Sequence, residues 1–169
     1  MRKIIFTLCL FALSLAGARA ALLFSDAFSY PDGAITNVSG GVWIEDSGTN
    51  DAANALLVTN GQAQISRSRT EQVHAALNQA NSTGGGIVLY CGFTMNMGGG
   101  GSLPAAGGGY FLDYGTGSQR CKVFSTVSNA APGYYRLNVG NATSSLSASS
   151  QCPNDLAPGT AYTVVTRCR

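Results

Sequence analysis

IVLYCGFTMNM, residues 87–97, is the longest regular alternation in the chain. Ile87, Leu89, Cys91, Phe93, Met95 and Met97 are apolar, and the interleaved Val88, Tyr90, Gly92, Thr94 and Asn96 turn polar towards the end. Strand side chains alternate between faces, so the stretch reads as one strand with one face wholly buried. That pattern predicts a central strand, with the other strands assembled around it.

Downstream, residues 98–109 read GGGGSLPAAGGG, a low-complexity stretch expected to be a long hairpin loop. Residues 110–114 are then the returning strand. Further strands are expected at 120–126 and 134–139, separated by a turn at Pro132-Gly133. Residues 141–151 are Ser-rich with weak strand character, 155–159 form a turn, and 161–167 form the last strand.

Upstream, residues 22–28 read as a first strand ending at Tyr30-Pro31-Asp32-Gly33, where Pro and Gly suit a turn. A short strand at 42–44 carries the only Trp. Residues 56–58 meet Asn60-Gly61, a strong hairpin signal, and 62–67 return. Another strand is expected at 72–77 and a loop at 78–86. Gly is abundant, at 22 of 169 residues, and no helical period is sustained. The expected fold is therefore all-β, an antiparallel two-sheet sandwich or jelly roll in one domain, residues 21–169.

The first twenty residues read as a leader. Arg2 and Lys3 precede an apolar run, and Ala18-Arg19-Ala20 offers small residues where a signal peptidase reads, so cleavage after Ala20 and export are expected. The run is too short for a membrane span, and no later stretch qualifies. Without Arg2, Lys3 and Arg19, seven basic residues face eight acidic ones, so the net charge falls from +2 to −1. With no basic cluster, nucleic acid is a poor partner. Four cysteines remain after the leader: Cys91, Cys121, Cys152 and Cys168. An oxidising space permits disulfides, but four cysteines allow three pairings. Cys121 and Cys152 are candidates for one bond, and Cys91 sits on the buried face of the expected central strand, where a free thiol behaves as a small hydrophobe.

LFSDAFSYPDGAI, GGVW, VTNGQAQIS, EQVHAAL, GGGIVLYCGFTMNM and GGYFLDY follow one another in this order. In that order the chain resembles the concanavalin A-like lectin/glucanase (LamG-like) jelly-roll modules of secreted bacterial proteins, over essentially all of residues 22–167. The resemblance implies a two-sheet antiparallel sandwich used for carbohydrate binding or adhesion, often beside other domains and often with calcium. Such modules continue past the strand matching 161–167, so the resemblance implies that the last strands are missing here and that a strand edge is left open.

The glucanases of that superfamily carry an ExDxE pattern, because retaining glycoside hydrolysis needs two carboxyls close together. This chain has only Glu45 and Glu71, and adjacent Glu45 and Asp46 would point to opposite faces of a strand. The expectation is a non-catalytic module rather than a glycoside hydrolase. His74 is the only histidine and has no serine in a nucleophile context, so it reads as a structural residue. Calcium needs several converging oxygens; Asp26, Asp32, Asp113 and Asp155 near strand ends are candidates. Exposed aromatics suit glycan binding, and Tyr110, Tyr114 and Tyr134 are the candidates, the first two expected on one strand face. The alternative function is a structural or spacer domain in a larger surface protein.

Overall fold

The computed structural model describes residues 21–78, 88–98, 103–115, 120–141 and 145–168. The expected leader lies outside them, as do most of the 78–86 loop and of the 115–118 turn, Ile87 of the expected central strand, residues 99–102 of the glycine-rich loop and 142–144 of the Ser-rich stretch. The chain divides into two compact units, residues 1–79 and 80–169. Both are built from antiparallel strands, with a four-residue helix and a three-residue 3-10 turn as the helical content among the described residues. The chain is all-β.

The first unit contains β1 (Gly33–Ala34), the short α1 (Ile35–Val38), β2 (Ile44–Ser47), β3 (Leu57–Thr59), β4 (Gln62–Gln64) and β5 (Gln72–His74). Strands β1, β3 and β4 form one sheet, and β2 pairs with β5. The β3–β4 hairpin turns at Asn60 (φ 51°) and Gly61 (φ 69°), the paired positive angles of a type I′ turn, as the Asn-Gly signal predicts. Ile35, Ala55 and Val58 form the buried apolar centre. Glu71 is buried beside it. Its Oε2 accepts the Leu56 N–H and its Oε1 accepts the Thr36 hydroxyl, so this carboxylate ties β3, α1 and the approach to β5 together. At Gly48 (φ +97°) a Cβ would lie 2.4 Å from the Thr70 carbonyl oxygen, so only glycine lets this loop pass so close.

Two expected strands are displaced here. Residues 22–28 are not a strand. Asp26 Oδ1 accepts the Phe28 N–H at 2.7 Å and Phe28 sits at φ 52°, so a local side-chain bond has replaced the ladder. Trp43 precedes β2 instead of lying in it. Its ring packs edge-on to Phe24 (5.7 Å between centroids) and stacks with Phe28 (5.8 Å), and its indole N–H donates to Asp26 Oδ2 at 2.6 Å.

The second unit contains β6 (Leu89–Asn96), β7 (Gly109–Tyr114), β8 (Arg120–Thr126), β9 (Arg136–Gly140), the 3-10 turn η1 (Leu146–Ala148), β10 (Ser150–Gln151) and β11 (Ala161–Cys168). One sheet runs β10-β9-β8-β7, and β6 pairs with β11. The alternation in β6 is present, but its apolar face is only half-buried, and among the described residues β11 is its one partner. The expected long hairpin is also absent: β7 pairs with β8. The central strand is β8, with a neighbour on each edge and six consecutive buried residues, Cys121 to Thr126. Lys122 is tolerated inside because its ammonium lies 4.0 Å from the centre of the Tyr110 ring.

Phe93 of β6 meets Phe111 of β7 edge-on, with centroids 6.1 Å apart. A disulfide joins Cys121 of β8 to Cys168 of β11, with Cα atoms 5.7 Å apart. This corrects the Cys121–Cys152 pairing. Cys152 is exposed and free beyond β10, where its N–H bonds the Leu137 carbonyl, whereas Cys121 is buried facing the end of β11. Cys91 is the other free thiol, half-buried opposite Thr166.

Candidate functional site

The second unit carries a cleft of about 600 Å³, lined by Gly107, Ser128, Asn129, Asn138, Leu146 and Gln151 with the hydroxyls of Ser145, Ser147 and Ser149. Its size falls in the range of small-molecule sites. Every polar side chain in that lining is an amide or a hydroxyl, and none titrates in the physiological range.

Four segments converge to build it. The sheet supplies Asn138 of β9 and Gln151 of β10, the end of a cross-strand row that begins outside the cleft at Tyr110 of β7 and Phe124 of β8, each register-paired with the next. The row passes from aromatic to amide. The loop before β7 is pinned to the sheet through the Ala106 carbonyl, which accepts from Thr126 Oγ1 (2.8 Å) and Ser128 Oγ (2.9 Å), and this fixes Gly107. The turn after β8 closes with the Ala130 N–H bonded to the Val127 carbonyl and with Asn129 at φ 59°, a conformation Asn tolerates. Gln151 braces that turn: its Nε2 donates to the Ser128 carbonyl at 2.8 Å and its Oε1 accepts from Asn129 Nδ2 at 3.3 Å. The fourth wall is η1, where Ser149 Oγ donates to the Leu146 carbonyl and accepts from Asn138 Nδ2 at 3.0 Å.

Of the residues singled out from the sequence, Tyr110, Tyr114 and Tyr134 are absent from this lining. Tyr110 comes nearest, in the Asn138 row, but Lys122 lies over its ring and Phe124 packs against it (5.9 Å). Register shifts on either side of Leu112 break the alternation of β7, so Tyr110 and Tyr114 do not share surroundings. Tyr114 is instead half-buried beside Cys91 and Thr166; burial, then the thiol, push its hydroxyl above the ordinary tyrosine range. Tyr134 is 42% exposed at the turn before β9.

The calcium candidates are engaged elsewhere. Asp26 accepts from Phe28, Tyr30 and Trp43, and Asp32 accepts the Asn60 N–H at 2.8 Å. Asp113 lies in β7 of the other unit, and Asp155 pairs with Arg136. Among the described residues no three His, Cys, Asp or Glu side chains gather as metal ligands. His74 Nδ1 lies 2.8 Å from Asp46 Oδ1 across the exposed β2–β5 pair.

Asn129, Asn138, Ser149 and Gln151 were not singled out from the sequence. For Ser149 and Gln151 the signal was the Ser-rich 141–151 stretch, which reads as a weak strand until its cross-strand neighbours are known; Asn129 and Asn138 lie outside that stretch, in a turn and in β9, and carried no signal of their own. No described helix is long and apolar enough to cross a membrane. Compared with protein-family models, with curated proteins and with solved structures, the chain matches none.

Proposed function

We propose that the chain is an exported, non-catalytic β-sandwich module that binds carbohydrate or another surface component. The observation that supports this reading is the uncharged amide and hydroxyl lining of the 600 Å³ cleft. Neutral sugars present hydroxyls that both donate and accept, and amides and hydroxyls answer both roles. Phosphates and carboxylates are recognised through Arg or Lys, which this lining lacks. Hydrolysis of a glycoside calls for two carboxyls flanking the bond. The two glutamates do not supply such a pair: Glu45 is exposed on β2, and both oxygens of Glu71 are spent on Thr36 and Leu56.

The jelly-roll architecture, in one domain over 21–169, belongs to the same proposal. Its support is that the two sheets of the second unit meet at Phe93 and Phe111 and are joined by the Cys121–Cys168 bond. A glycan array probed with folded residues 21–169 tests the reading. Binding to at least one neutral glycan is expected. An array with no binding overturns the carbohydrate reading and favours a spacer, and turnover of a β-glucan by the same sample overturns the non-catalytic one.

A further inference from the structure

We propose that Asn138 is the specificity-determining acceptor of the cleft, selecting uncharged ligands that donate a hydroxyl hydrogen to its Oδ1. The inference rests on the carbohydrate reading and adds the atom and the ligand class. Asn138 is 5% exposed in mid-strand β9, and its Oδ1 is shielded from solvent with no hydrogen-bond partner. A buried acceptor left unmet is costly, so such an atom calls for an explanation.

The orientation of the amide follows from its neighbours. Ser149 has one hydroxyl hydrogen, and it goes to the Leu146 carbonyl. With the hydroxyl so placed, the Ser149 oxygen accepts from Asn138, which turns Nδ2 towards it at 3.0 Å. Flipping the amide would require the Ser149 hydroxyl to leave the Leu146 carbonyl, which would keep only the Ser149 N–H, and to turn to Oδ1 instead. With these two bonds made, the relay from Leu146 through Ser149 to Asn138 presents Oδ1 as an acceptor, and a ligand brings the donor.

Gln151 is the register partner of Asn138, so its side chain lies next to the acceptor. It is held by the 2.8 Å bond from its Nε2 to the Ser128 carbonyl and by the 3.3 Å bond that its Oε1 accepts from Asn129 Nδ2. A ligand hydroxyl that reaches Oδ1 displaces the Gln151 side chain and replaces both of these bonds with bonds of its own. A carboxylate brings no donor hydrogen and meets no cation in the lining, so an acidic sugar, although it keeps hydroxyls that can donate, must bury an unpartnered charge and binds less well than a neutral one.

The test titrates residues 21–169 with the methyl glycosides of glucose, galactose and mannose and with glucuronate, by ligand-observed NMR. Wild type is expected to bind at least one neutral glycoside and to prefer it over glucuronate by about tenfold or more. Asn138→Ala should weaken that binding by about tenfold, the worth of one well-made hydrogen bond. Ser149→Ala removes the relay without touching β9 and should weaken it less, in the same direction, which keeps the test available if Asn138→Ala does not fold. Neutral binding unchanged in both folded variants means that Oδ1 holds a structural water only: the inference fails and the carbohydrate reading stands. Preference for glucuronate, or no binding of any of the four sugars, also overturns the inference, and the glycan array then decides the broader reading separately.

Discussion

Reduction of the Cys121–Cys168 bond releases a constraint between residues 47 apart in sequence, tying the centre of one sheet to the end of another strand pair. Closing a loop of that length lowers the free energy of folding by about 4 kcal/mol through the unfolded chain. Cys121 sits at φ 49°, a left-handed conformation that disfavours side chains, and its relaxation offsets about 1 kcal/mol. The net loss expected is about 3 kcal/mol. If the second unit melts by itself, that is a drop in Tm of about 12–24 °C; if residues 21–169 melt as one cooperative body, it is about 6–12 °C. Thermal melts by circular dichroism, with and without reductant, measure the drop, and the Cys121→Ser, Cys168→Ser double variant should reproduce it. Cys152→Ser should leave the oxidised midpoint within a degree or two. A midpoint indifferent to reductant, or a loss that follows Cys152→Ser instead, would refute the pairing and the calculation built on it.

Glu71→Gln leaves one oxygen to accept where two now do and turns an amide N–H towards a donor, so a loss of about 1–3 kcal/mol is expected; an unchanged urea midpoint would contradict the role of these two bonds. Burial works to raise the Asp26 pKa, but hydrogen bonds from Trp43, Tyr30 and the Phe28 N–H together hold it below the ordinary carboxylate value. A depressed folded-state pKa gives stability that is present above the unfolded value of about 3.9 and lost as pH falls through the folded one. The stability gap between wild type and Asp26→Asn, followed by Trp43 fluorescence in urea at a series of pH values, should therefore be largest above pH ~4 and shrink in more acidic solution; a constant gap would count against these three hydrogen bonds. Tyr90 and Val165 are each 66% exposed on the β6–β11 pair, whose outer edges have no further partner among the described residues. Val165→Lys should reduce self-association in concentration-series size-exclusion chromatography, since charge on a strand exposed in this way discourages edge pairing.

Local structure was more legible in the sequence than pairing. The Asn60-Gly61 hairpin, β8 at Arg120–Thr126 and β11 from Ala161 follow from turn chemistry and β-branched runs that act within a few residues. Alternation in β6 marked its two faces but carried no information about its partner, and β11 lies far along the chain. The centrality of β8 was hidden because Lys122, Ser125 and Thr126 look like solvent-facing residues. Two of them are made tolerable by groups distant in sequence, the Tyr110 ring for Lys122 and the Ala106 carbonyl for Thr126. The N-terminal segment misled for the opposite reason. LLFSDAF has strand composition, and one carboxylate, Asp26, redirected it into a turn. The cleft was the least legible feature. Its Ser, Asn and Gln residues read singly as turn formers, and only the register of β10 on β9 sets Gln151 against Asn138.

Chemical-shift mapping on 15N-labelled residues 21–169, with a glycan taken from the array, tests the central claim most directly. The side-chain amide signals of Asn129, Asn138 and Gln151 and the backbone amides of Ser145 and Ser149 should move furthest and saturate together. Largest shifts on the exposed face of β6 and β11, around Tyr90 and Val165, or in the first unit, would contradict the assignment of the cleft as the binding site.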